Sequence, residues 1–284
     1  MQALALLLTL LASAAWAQPP ATCERGPNLD RIAACTELLG HDQPPNKQAS
    51  IYINRAQAYS WSSQHELAVK DYDAALRIDP NNTDALYGRG WSFERTHQHG
   101  RAVSDADRLI ALGDSKHAAY QLRCWALAML EQYDEAIRSC TEQLRPYASQ
   151  PIFLSDRGQI YLKAKQPDLA IADFDEILRE DKYNAGAMLG RAQALLAKKD
   201  YAGALSEFDR ANRTMAGQSG QDWGDALSGR ALANEALGRR DEAIVDFRAA
   251  LKAQSDLDEA KEGLHRLGAT EAPPIAEKPW WRFW

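Results

Sequence analysis

Hydrophobic positions along this chain recur at helical spacing in short blocks. Ile51, Ile53, Ala56 and Tyr59 mark one apolar stripe, and Leu67, Ala68, Tyr72, Ala75 and Leu76 mark the next. Apolar residues three and four apart predict two amphipathic helices. The polar stretch Ser62-Ser63-Gln64-His65 separates them as a turn, and Asp79-Pro80-Asn81-Asn82 closes the pair, because Pro cannot continue a helix. Shorter amphipathic runs flank the main body. Asn28 to Leu39 carries Ile32, Cys35, Leu38 and Leu39, and residues 256–268 carry Ala260, Leu264 and Leu267.

The helix pair is repeated. Arg55, Arg89, Arg123, Arg157, Arg191 and Arg230 are spaced by 34, 34, 34, 34 and 39 residues. Thirteen residues after each comes an alanine: Ala68, Ala102, Ala136, Ala170, Ala204 and Ala243. A fixed period of this length signals stacked supersecondary units, each too small to bury its own apolar face. Six units follow, at 49–82, 83–116, 117–150, 151–184, 185–218 and 224–257, with an insertion around Gly217 to Trp223 expected as a longer loop.

These residues resemble the tetratricopeptide repeat. The eighth residue of each unit is small or nearly so: Ala56, Gly90, Cys124, Gly158, Ala192 and Ala231. The twenty-fourth is large in Tyr72, Phe174, Phe208 and Phe247, with Ala106 and Cys140 as departures. The resemblance spans residues 49–257. It implies an all-α, right-handed solenoid of helix-turn-helix repeats, in which small at eight meets large at twenty-four. The flanking amphipathic runs are then expected as short capping helices at the two ends.

Function enters through the same register. In the family, the first helix of each unit lines a concave groove that binds proteins or peptides. Carried onto this chain, the groove positions give Trp61 in the first unit, Tyr87, Trp91, Glu94 and Arg95 in the second, and Gln121, Trp125 and Met129 in the third. Trp with Arg is the composition of interface hot spots. The opposing expectation is that these tryptophans belong partly to the core, with Trp91 or Phe93 filling space left by Ala106. The acidic residue sixteen after most of the repeated arginines (Asp71, Asp105, Asp173, Glu207 and Asp246) suggests a structural arginine–carboxylate ladder rather than a free phosphate-binding array.

Composition sets the limits. The chain has 284 residues, 45% hydrophobic and 25% charged, which is ordinary for a globular protein. Net charge of −6 argues against a nucleic-acid partner. No Gly-rich phosphate loop, GxSxG or HExxH occurs, so no catalytic residue, metal or cofactor is assigned. His97 and His99 are expected as solvated turn residues.

Residues 1–17 read as a signal peptide, with an apolar core from Ala3 to Ala12 and Ala15-Trp16-Ala17 as its cleavage site. The mature chain would start at Gln18 and be soluble, in the periplasm or secreted. An oxidising compartment then favours disulfides for Cys23, Cys35, Cys124 and Cys140. A four-thiolate zinc site is the alternative, but it would use CxxC-type pairs and none is present. In the repeat register Cys124 and Cys140 fall at eight and twenty-four, which implies a Cys124–Cys140 bond and leaves Cys23–Cys35 to fasten an N-terminal segment, 18–48.

The stretch 269–284 is rich in Pro and Trp. Trp280, Trp281, Phe283 and Trp284 are costly to leave in water. They are expected to contact a partner or the protein's own groove, and a membrane interface only weakly, since just Lys278 and Arg282 lie nearby. The sequence therefore points to an exported scaffold for protein–protein or protein–peptide interaction. The alternatives are a cell-envelope enzyme or an accessory subunit of one, and a structural module whose groove is filled by its own tail.

Overall fold

The computed structural model describes residues 22–113, 116–145, 150–215 and 221–270. The leader segment and the aromatic tail lie outside the described residues. Fourteen helices and no strand occur among those described. In chain order they are α1 (Asn28–Leu39), α2 (Pro45–Trp61), α3 (His65–Ile78), α4 (Thr83–Arg95), α5 (His99–Leu112), α6 (Lys116–Met129) and α7 (Tyr133–Leu144). There follow α8 (Pro151–Lys163), α9 (Pro167–Glu180), α10 (Ala185–Ala197), α11 (Tyr201–Thr214), α12 (Gln221–Ala236), α13 (Arg240–Ala253) and α14 (Asp258–Arg266). The architecture is an all-α helical solenoid. The chain divides into two compact units within α6, after Ala126.

Local chemistry sets the helix ends. Asn82 and Asn184 accept hydrogen bonds from the amides of Ala85 and Ala187 at 3.0 and 2.9 Å, capping α4 and α10. Pro45, Pro151 and Pro167 stand in first turns, where the missing N–H costs nothing. Each hairpin turn puts its fifteenth residue in the left-handed region: Ser63, His97, Glu131, Lys165, Lys199 and Gly238. Only the last is glycine, so five turns carry backbone strain that the flanking helix pair holds in place.

In the first unit of the division, α2–α5 enclose Ile53, Ala56, Ala68, Tyr72, Leu86 and Leu109. The N-terminal segment closes that end, with Cys23 and Cys35 joined in a disulfide and packed against Ile51. In the second, α8–α10 bury Phe174 among Leu154, Ala170 and Ile177, and α12–α14 bury Phe247 among Leu227, Ala243, Ala260 and Leu264. Cys124 and Cys140 are also disulfide-bonded, and no described cysteine is free.

The small–large contact is tighter than the repeat register alone implies. A Cβ built on Gly158 would stand 2.8 Å from the Phe174 ring, as the eighth-position rule requires. The sixth residue of the following unit approaches more closely still. Cβ atoms at Gly88, Gly190 and Gly229 would lie 2.2, 2.4 and 2.3 Å from Tyr72, Phe174 and Phe208. Each large ring therefore holds two consecutive hairpins together. The exception explains itself: where the large residue is replaced by Ala106, the sixth position of the next unit is Leu122, buried with Phe93 and Ala106. Leucine fills the space from the opposite side, so Trp91 was not needed to do so alone.

The arginine ladder is present. Arg55 and Asp71 form paired hydrogen bonds of 2.6 and 2.8 Å, as do Arg157 and Asp173 at 2.8 and 2.6 Å, and Arg230 and Asp246 at 2.9 and 2.6 Å. Several rungs reach backwards as well: Arg89 binds Asp105 ahead and Asp73 behind. Hydrogen bonding to Asp71 and Asp173 raises the already high pKa values of Arg55 and Arg157. These guanidiniums are committed to neighbouring helices.

Candidate functional site

One face of α4 is lined by Asp84, Tyr87, Gly88, Trp91, Ser92 and Arg95, spaced three and four apart so that they form a single stripe. Opposite stand Gln57, Ser60 and Trp61 from α2 and His65 and Tyr72 from α3. Together they enclose a cleft of about 580 Å³ within the first unit of the division. Four aromatic residues furnish it, Trp61, Tyr72, Tyr87 and Trp91. Trp61 is 66% exposed. Tyr87 and Trp91 meet edge to face with centroids 6.2 Å apart. Trp91 is half-buried against Val69, Phe93 and Leu122, so its ring serves both core and cleft.

Two polar atoms at this site are buried without a partner, Trp91 Nε1 and His65 Nδ1. Burial lowers the pKa of His65, and Arg95 beside it lowers it further, so the imidazole is neutral at pH 7. Tyr72 closes the floor. Its hydroxyl is pushed up to about 12 by burial, despite a hydrogen bond with Ser60. The cleft lining thus combines aromatic surface with His65 and the exposed side chains of Arg95 and Asp84.

Sequence reasoning placed Trp61, Tyr87, Trp91 and Arg95 in one groove, and the structure brings these four together. Glu94 is a correction. It lies off the stripe, and its carboxylate meets His99 Nδ1 at 2.8 Å with both side chains nearly buried. His99 is accordingly not a solvated turn residue, whereas His97 is exposed. Gln121, Trp125 and Met129 are on α6 outside the cleft lining. The first two are half-buried and Met129 is 45% exposed. No group of three or more potential metal ligands occurs among the described residues.

Arg31 was missed altogether. It is buried on α1, donates weakly to the carbonyls of Cys23 and Asn54, and lies 4.9 Å over the Trp61 ring. That stack steadies Trp61 from behind the cleft. The signal lay only in the disulfide-tied segment, which had suggested covering the end of the stack but no contact with a site residue.

Helical hairpins stacked in register, with an aromatic cleft between consecutive first helices, define a repeat scaffold. Family profiles described as tetratricopeptide repeat match residues 49–82 and 155–218. Over those residues the chain carries tetratricopeptide repeats. Solved structures agree on the fold. A tetratricopeptide repeat protein from Parabacteroides merdae is similar at TM-score 0.71 and 14% identity, over 85% of this chain and 92% of that one. PilW, described as a widely conserved type IV pilus biogenesis factor, is similar at 0.65 and 19%, over 76% and 98%. The APC/C hetero-tetramer Cut9–Hcn1 is similar at 0.65 and 17%, over 86% of this chain and 46% of that one. No curated protein shows significant similarity to the chain.

Proposed function

We propose that this protein is an exported scaffold that binds a peptide segment of a partner protein in the cleft between α2, α3 and α4. The observation that carries the proposal is the convergence of Trp61, Tyr87 and Trp91 on one cleft, with Asp84 and Arg95 exposed along it. The arginines cannot serve as a general anion array, because the ladder holds them. A structural neighbour that forms a hetero-tetramer, Cut9–Hcn1, is consistent with a binding role. No helix among the described residues is long and apolar enough to cross a membrane. Disulfide-bonded cysteines fit an oxidising compartment.

Random-peptide display against the full chain tests the binding reading. Enriched ligands are expected to carry aromatic residues and to lose about thirtyfold in affinity on Trp91→Ala. Ligands indifferent to both Trp91→Ala and Trp61→Ala would reject this cleft as the site. Export is tested by fractionation with N-terminal sequencing, which should find Gln18 first in a periplasmic or secreted product.

A further inference from the structure

We propose that the cleft between α2, α3 and α4 takes an extended peptide of mixed charge from a partner protein, with an acidic side chain held at the Trp61–Arg95 end and a basic one, about five residues away, at Asp84. The inference rests on the peptide-binding proposal and names the chemistry of its ligand. Asp84 and Arg95 are the charged residues of the α4 stripe and stand near its two ends, eleven residues apart, or about 16 Å along a helix axis. Both are exposed, and neither forms an ion pair among the described residues, whereas Arg89 on the same helix is held by Asp73 and Asp105. Burial is the larger influence on His65 and Tyr72, but the charge of Arg95 also bears on His65, and those of Asp84 and Arg31 on Tyr72. The lining therefore senses a cation at one end and an anion at the other.

A second observation marks the Arg95 end as the place of the acidic group. Trp61 and Arg95 are both thirteenth in their units, so they stand at the same level of consecutive first helices. Arg31 lies behind Trp61, 4.9 Å over its ring, and is buried. Its polar partners are the carbonyls of Cys23 and Asn54, at 3.5 and 3.4 Å, and no carboxylate pairs with it among the described residues. A buried cation without a counter-charge is costly. A ligand carboxylate at Trp61, with Arg31 behind the ring and Arg95 across the cleft, offsets that cost, and a basic group there adds to it. The separation of the two charges sets the ligand's conformation. A helix about 16 Å long and 10–12 Å across would occupy more than twice the cleft's volume of about 580 Å³. Five residues of extended chain span the same distance. The residues between the two charges then lie along Tyr87 and Trp91, one helical turn apart on α4.

The test titrates the full chain, by fluorescence anisotropy, into three fluorescein-labelled hexapeptides with capped termini and the same Gly-Trp-Leu-Gly centre. One begins with Lys and ends with Glu, one has Glu at both ends, and one has Lys at both. Wild-type protein should bind the mixed peptide about fivefold more tightly than either other. Arg95→Glu should make the all-lysine peptide the tightest ligand, and Asp84→Lys the all-glutamate one. Arg31→Met, which keeps the side-chain length, should weaken the mixed and all-glutamate peptides about fivefold and leave the all-lysine peptide unchanged. An equal loss for all three would mean that Arg31 only packs, and would overturn the acidic position at Trp61. Equal wild-type affinities, one ranking shared by wild type and both rim variants, or no binding by any of the three would overturn the inference as a whole. If display ligands still depend on Trp91 in that case, the cleft stands as a peptide site and only its charge selection is wrong. Display ligands indifferent to Trp91 and Trp61 would instead remove the cleft itself.

Discussion

Gly190→Ala is the sharpest test of how the hairpins are joined. In an exposed helix interior this substitution stabilises by about 1 kcal/mol through helix propensity. Here the new Cβ would lie 2.4, 2.5 and 2.8 Å from three Phe174 ring atoms. The ring has little room to retreat, since Phe174 is fully buried and a Cβ on Gly158 of α8 would also stand only 2.8 Å from it. Overpacking of this kind costs about 1–3 kcal/mol, which exceeds the propensity gain. The expected outcome is a net loss of up to about 2 kcal/mol. A control sits on the same helix: a Cβ on Gly186 meets nothing nearer than 3.6 Å, so Gly186→Ala should be neutral or stabilising. Urea unfolding followed by far-UV circular dichroism reads both. Shrinking the ring with Phe174→Leu should make Gly190→Ala less costly in the double mutant than alone, a coupling of about 0.5–3 kcal/mol. Stabilisation by Gly190→Ala in the wild-type background would refute the two-sided clamp. Gly158→Leu should destabilise more severely, because it drives a whole side chain at the same ring.

Three further outcomes follow from the structure. Arg157→Ala removes the paired partner of Asp173, a buried carboxylate, and should cost about 3 kcal/mol, read as a shift in the urea midpoint; a change within experimental error would show the ladder to be ornamental. A non-reduced digest analysed by mass spectrometry should yield the linked peptides Cys23–Cys35 and Cys124–Cys140, and four free thiols would contradict both bonds and the proposed compartment. The depressed pKa of His65 means that the unfolded chain takes up its proton first as pH falls, so stability should decline below about pH 6.5. His65→Gln should flatten that decline, and an identical pH profile for the variant would remove His65 from the account.

The repeat period and the hairpin pattern were legible in the sequence. Six arginines and six alanines in step define a local geometry that each unit largely builds from its own residues. The capping helix from Asn28 to Leu39 was legible for the same reason, because its apolar stripe is intrinsic. Trp61, Tyr87, Trp91 and Arg95 could be assigned to one groove because their positions relative to the repeat fix the face of the helix they occupy.

Tertiary structure decided what depends on meeting across helices. Glycine at the sixth position looks like a poor helix former until the preceding hairpin's ring is placed against it, and Leu122 looks like a departure until Ala106 is seen opposite. Glu94 and Arg95 are neighbours in sequence, yet helical rotation turns one towards His99 and the other into the cleft. Arg31 lies 30 residues before Trp61, outside any repeat, and only folding brings its guanidinium to that ring. Periodicity reports which face a residue shares with its own helix. It carries no information about which side chain arrives from the next one, because that depends on volumes and rotations summed over several packed elements.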